Sequence, residues 1–159
     1  MIDARFGHVN LIARDWRALA DFYIELFGCV LVPPERDYSG ADLERGTAVP
    51  GAALRGAHLR LPGQGPDGPT LEIYQFASMP EHAPPLVNRP GFGHIAFAVP
   101  SVAAARDAVL AAGGGIVGEI VTLQTADGRF VTWTYLTDPE GNVIELQSWS
   151  DTHPVVTGG

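Results

Sequence analysis

The chain has 159 residues, 46% hydrophobic and 18% charged, with a formal net charge of −8. That is room for one domain or two small fused modules with an ample core. Only ten residues are Lys or Arg, so no footprint for nucleic acid or an anionic membrane surface is expected, and no apolar stretch is long enough to span a bilayer. Polar residues arrive at once after Met1, which argues against a signal peptide and for a cytoplasmic protein.

In chain order, the first segment is "FGHV", residues 6–9, a short strand. Asp15 then stands as an N-cap before "WRALADFYIELF", where Trp16, Leu19, Ala20, Tyr23 and Phe27 recur at helical spacing. Gly28 is placed to end that helix. The single cysteine, Cys29, follows among apolar neighbours, where a buried, inert thiol is expected. β-like segments fall at residues 29–32, 53–61 and 70–76, with "PGQGPDGP" as the turn between the last two. Residues 33–51 read as irregular. Residues 77–90, with four prolines, read as a linker.

The second half repeats the first. "GFGHIAFAV", residues 91–99, alternates as a strand, with Ile95, Phe97 and Val99 on one side and His94, Ala96 and Ala98 on the other. Its "FGHI" matches "FGHV" at an offset of 86 residues, and at the same offset Asp15 meets Ser101 and Gly28 meets Gly114. Ser101 caps a second helical segment carrying Val102, Ala105, Val109 and Ala112. "GGG" at 113–115 is then a helix exit; a phosphate loop would instead lead into a helix N-terminus. Strands follow at 116–119, 130–136 and 143–149, with "DPEGN" as the last turn and a frayed tail over 150–159. Each copy reads as strand, helix, three strands. The modules span residues 6–76 and 91–149.

Each copy places a histidine on its first strand and a glutamate on its last. These are His8 and Glu72, 64 residues apart, and His94 and Glu145, 51 apart. The longer irregular segment of the first copy absorbs the difference. Both acids sit between apolar neighbours, Leu71 and Ile73 in one case, Ile144 and Leu146 in the other. A strand Glu can simply face solvent, but a buried one costs several kcal/mol unless paired, protonated or bound to a cation. If the two modules pack with their concave faces together, two imidazoles and two carboxylates make a site for a divalent metal.

The segments "GHVNLIARDWRALADFY", "GHIAFAV" and "YLTDPEGNVIELQ" resemble the vicinal oxygen chelate superfamily. That group includes glyoxalase I, methylmalonyl-CoA epimerase, extradiol dioxygenases and the fosfomycin- and bleomycin-resistance proteins. The resemblance covers roughly residues 6–149. It implies an α+β fold of two tandem βαβββ modules, forming an eight-stranded open barrel-like sheet around a metal site. By position, the metal ligands implied are His8, Glu72, His94 and Glu145.

Such a ligand set holds one divalent metal per chain, Ni, Co, Mn, Zn or Fe, and leaves positions open for substrate. The chemistry implied is that of an isomerase or lyase, with proton transfer next to a metal-bound carbonyl of a small metabolite having vicinal oxygens. Glu145 or Glu72 serves as the base. The alternatives are an iron-dependent ring-cleavage dioxygenase and a non-catalytic resistance-type binding protein.

The chain also departs from its relatives. Ile12 and Phe76 stand where bacterial glyoxalase I has an Arg and an Asn for glutathione. No Asp or Glu lies between Arg45 and Pro66, where the epimerase has a further carboxylate. His58 or Arg60 can face the cavity there, or sit at a solvent-facing edge. A homodimer is the expected assembly, since open sheet edges invite pairing. No role is assigned to His82 or His153.

Overall fold

The computed structural model describes residues 1–81, 83 and 86–154. The chain forms two compact units, Met1–Ala83 and Pro84–Gly159. Together they hold a mixed α+β set of three helices and nine strands in two sheets among the described residues.

The first unit runs β1 (His8–Ile12), α1 (Trp16–Phe27), β2 (Val30–Ser39), α2 (Ala41–Thr47), β3 (Ala53–Arg60) and β4 (Thr70–Phe76). Its sheet has the order β1-β4-β3-β2, with β1 parallel to β4 and the other pairs antiparallel. Asp15 begins α1 by accepting from the backbone N–H of Arg17 and Ala18, both at 3.1 Å. Gly28 ends it at φ 69°, a left-handed turn that costs glycine little. The apolar stripe of α1 covers one face of the sheet. Leu19, Tyr23, Ala57, Leu59, Leu71 and Ile73 are at most 1% exposed there. Alternation along the strands leaves His8, Asn10, Ile12, His58, Glu72 and Tyr74 on the other face.

The expectation of an irregular segment over 33–51 needs correction. β2 continues through Pro33 and Pro34, joined by a cis peptide bond, as far as Ser39, and α2 follows. The prolines are tolerated because pairing with β3 breaks between Val32 and Arg36, so neither owes the ladder an N–H. Arg17 of α1 forks onto the Glu35 carboxylate at 2.8 and 2.6 Å and ties this stretch to the helix.

The second unit runs β5 (Ile95–Ala98), α3 (Val102–Ala111), β6 (Gly115–Ile116), β7 (Val121–Gln124), β8 (Phe130–Thr137) and β9 (Val143–Ser150). The order is β5-β9-β8-β6, with β7 also on β8, and β5 is parallel to β9. Ser101 caps α3 through the Ala104 N–H at 3.3 Å. The core is Phe97, Val102, Val109, Leu136, Ile144 and Leu146.

Three boundaries move in this unit. The helix ends at Ala112 with Gly113, not Gly114, taking the positive φ of 91°. Gly114 is needed for another reason: a Cβ there would press on Val109 and the Thr137 carbonyl. The strand expected over 116–119 is cut short, because the N–H groups of Val117 and Gly118 both reach the Tyr135 carbonyl, at 3.2 and 3.1 Å. Two residues opposite one make a bulge, and pairing resumes as β7. Hence the described residues form nine strands where eight were expected. Finally, β5 starts at Ile95, so His94 is the residue just before it.

The "DPEGN" turn is built around Asp138, 1% exposed, which accepts from the N–H groups of Glu140 and Asn142 and from the Asn142 side chain. Ser150 closes β9, and residues 155–159 and His82 lie outside the described residues. Among the described residues, no helix is long and apolar enough to cross a membrane.

Candidate functional site

Each unit brings its histidine and its glutamate together. In the first, β1 and β4 are neighbours with Asn10 opposite Glu72, so His8 stands one pleat away on the same face. His8 Nε2 lies 3.5 Å from Glu72 Oε2. In the second, β5 and β9 are neighbours with Ala96 opposite Glu145, and His94 Nε2 lies 3.1 Å from Glu145 Oε2. Small Ala96 and Ala98 leave the space beside that pair open. Both imidazoles keep substantial exposure, 48% and 35% of their side chains.

Glu72 is held from several sides. Asn10 Nδ2 donates to Oε2 at 2.8 Å, His58 Nε2 lies 2.8 Å from Oε1, and Tyr74 stands two residues along β4 on the same face. Burial is the main cause that pushes the Tyr74 phenol well above its usual range, and Glu72 adds to it. Burial likewise holds the His58 imidazole below its ordinary value, against the pull of Glu72, while Arg36 and His8 push it further down. A neutral His58 has one N–H. The carboxylate can only accept, so that proton sits on Nε2, and Nδ1 accepts from the Thr70 hydroxyl at 3.0 Å. Both ring nitrogens of His58 are therefore spent. His58 faces the same side as Glu72, which settles the choice left open for it, and its role is to hold the carboxylate.

Glu145 is freer. Besides His94, its neighbour is Tyr135, directly opposite on β8. Burial, then the Glu145 charge, raises the Tyr135 phenol. The rings of His94, Tyr135 and Trp133 follow one another at 5.1 and 4.8 Å between centroids, an aromatic shelf beside the carboxylate.

These pairs suit a divalent cation in chemistry and spacing. Neighbouring donors on a cation with bonds of about 2.1 Å lie roughly 3 Å apart. The two N···O separations of 3.5 and 3.1 Å are close to that. Each unit offers two donors, and among the described residues no three His, Cys, Asp or Glu side chains are grouped to hold an ion by themselves. A cavity of about 660 Å³ opens elsewhere, beside the start of α1. Its lining holds neither His/Glu pair, and its arginines are paired, Arg17 with Glu35 and Arg55 with Asp37.

The model of the Glyoxalase/Bleomycin resistance protein/Dioxygenase superfamily matches residues 5–146. The chain belongs to this superfamily. Solved members share the fold. A glyoxalase family protein from Bacillus cereus has a TM-score of 0.74 at 20% identity, covering 91% of this chain and 93% of that one. A glyoxalase family protein from Enterococcus faecalis gives 0.56 at 22%, covering 92% and 99%. A glyoxalase I variant from Zea mays gives 0.58 at 19%, covering 89% of this chain and 46% of that one. No curated protein matches the chain. The superfamily includes many enzymes, and its members commonly bind a divalent metal.

Sequence reasoning named both His/Glu pairs, which the structure brings together within each unit, and did not name their neighbours Asn10, Tyr74 and Tyr135. Asn10 and Tyr74 had a signal, since each stands two residues from a candidate ligand and therefore on its face. Tyr135 had none, because its place opposite Glu145 depends on the register of β8 on β9.

Proposed function

We propose that this superfamily member is a divalent-metal-dependent isomerase or lyase that moves a proton on the carbon beside a carbonyl of a small metabolite. His8, Glu72, His94 and Glu145 are the ligands, serving one cation per chain. The bound cation supplies Lewis acidity, stabilising negative charge on the substrate carbonyl oxygen.

The observation that carries the reading is the unequal restraint of the two carboxylates. Glu72 is gripped by Asn10 and His58, so it is suited to stay in place. Glu145 has Tyr135 and His94 beside it and room next to Ala96. It is the group suited to swing and take the proton. The alanines and the ring shelf supply space and an apolar wall for the substrate's carbon skeleton.

The test is one series on wild type, His8→Ala, His94→Ala and Glu145→Gln. Titration with Ni²⁺ is expected to give one ion per chain, with binding weakened at least tenfold by either His substitution. With metal restored, wild type is expected to exchange solvent deuterium into a member of a panel of 2-oxo acids, 2-oxoaldehyde thiol adducts and acyl-CoA esters. Glu145→Gln should slow that exchange about a hundredfold. Two ions per chain, each lost with one histidine, would overturn the single centre. Tight metal binding with an inert panel would replace the enzyme by a metal-dependent binding protein.

A further inference from the structure

We propose that Arg36 is the residue that binds an oxyanion of the ligand, a carboxylate or phosphate group carried by the small metabolite. The inference deepens the proposed function and rests on it only for calling this face the substrate site. Pairing of β2 with β3 resumes at Arg36 after the break that follows Val32, with Arg36 opposite Gly56 and Gly56 opposite Tyr74. Two residues along each strand, on the same face, comes the row of His58, Glu72 and Asn10. The rows are about 7 Å apart along the strands, a gap that an arginine side chain spans.

The guanidinium is poorly satisfied for its surroundings. Among the described residues, Arg36 Nη1 is buried with no hydrogen-bond partner. Three other arginines of this unit have acids: Arg17 has Glu35, Arg45 has Asp42 and Arg55 has Asp37. Those pairs are on the surface. Arg36 is half-buried, and the nearby Glu72 carboxylate is taken by Asn10 and His58 instead. Its charge still reaches this cluster, since it acts on both His58 and Tyr74.

A buried donor left without an acceptor costs stability, and a charged one costs more. A planar fork of N–H groups fits the two oxygens of a carboxylate or phosphate. Gly56, which stands between Arg36 and Tyr74 in the register, lets the Tyr74 ring lie close against the strand, because a Cβ there would run into that ring and the Ile73 carbonyl. The substrate class is thus an anionic metabolite with its charged group near its carbonyl, as in a 2-oxo acid.

Calorimetry and NMR titration with pyruvate, its neutral methyl ester and inorganic phosphate, with and without Ni²⁺, test this on wild type, Arg36→Gln and Arg36→Lys. Pyruvate affinity is expected to fall by about tenfold to a hundredfold in Arg36→Gln and less in Arg36→Lys, the loss of a charge-assisted bond. Methyl pyruvate binding and Ni²⁺ affinity should not change, and the Tm of Arg36→Gln should equal or exceed that of wild type. Phosphate that competes with pyruvate supports one oxyanion site, and Arg36-dependent binding of phosphate alone assigns a phosphorylated substrate. If neither anion binds wild type, if both bind Arg36→Gln equally well, or if the Tm falls by several degrees, the inference is wrong. Arg36-dependent anion binding in a protein that takes up no Ni²⁺ would overturn the proposed function and leave this inference standing.

Discussion

Glu72 and Asp138 are both almost sealed from water, and each is kept by hydrogen-bond donors placed around its oxygens. Cys29, 2% exposed, lies in an apolar setting, so burial pushes its thiol from 9.0 up to about 11. It is therefore an unreactive packing residue. The shift also has a sign in stability. The unfolded chain releases the thiol proton first as pH rises, so the contribution is intact below pH 9 and is lost between about 9 and 11. At full extent that is about 2–3 kcal/mol. Urea unfolding of wild type and Cys29→Ala from pH 8 to 11 checks it. The stability of wild type should fall more steeply above pH 9 than that of the variant, whose other titrating groups are the same. Aromatic disulfide reagents should label Cys29 only after denaturation. Rapid labelling of the native protein at pH 8 would contradict this account.

Element ends depend on single residues whose demands differ. At Gly28 the backbone turns left-handed into open space, so Gly28→Ala meets only a conformational penalty, about 1–2 kcal/mol. At Gly56 the obstacle is the Ile73 carbonyl and the Tyr74 ring, so Gly56→Ala must displace β4 itself. Urea midpoints should rank wild type above Gly28→Ala and Gly28→Ala above Gly56→Ala, and the reverse order of the two variants would refute the account. Local signals of this kind made much of the fold legible in the sequence. Asp15, Ser101 and Gly28 mark helix ends by chemistry confined to a few residues, and a His/Glu pair recurs on the first and last strands of each repeat. What escaped depends on partners far along the chain. β2 runs through two prolines because β3 does not need their N–H groups, and β7 exists because Tyr135 accepts two N–H groups at one point. Tyr135 and Arg36 join the candidate site through cross-strand register, which a single strand does not carry.

At the scale of the whole molecule, the sheet edges set the expected assembly. Among the described residues, β6 and β7 pair on one side only, with β8. They and the turn between them carry Ile116 at 68%, Val117 at 42%, Val121 at 38% and Leu123 at 52% exposure. An edge with unpaired N–H and C=O groups and exposed apolar side chains is a template for another chain, and it carries no Lys or Arg to blunt it. A second copy of this chain is the expected occupant, giving a homodimer of twice 16.9 kDa. Light scattering at micromolar concentration should show that mass. Ile116→Lys with Leu123→Lys places two like charges on the edge and should shift the population to monomer, with stability little changed because neither residue is in the core. A wild-type monomer across the micromolar range would leave this apolar edge without its partner and sink the assembly. If the charged variant goes monomeric yet still binds one Ni²⁺ per chain, the ligands all come from a single chain. If metal binding vanishes with the dimer, the cation needs both copies.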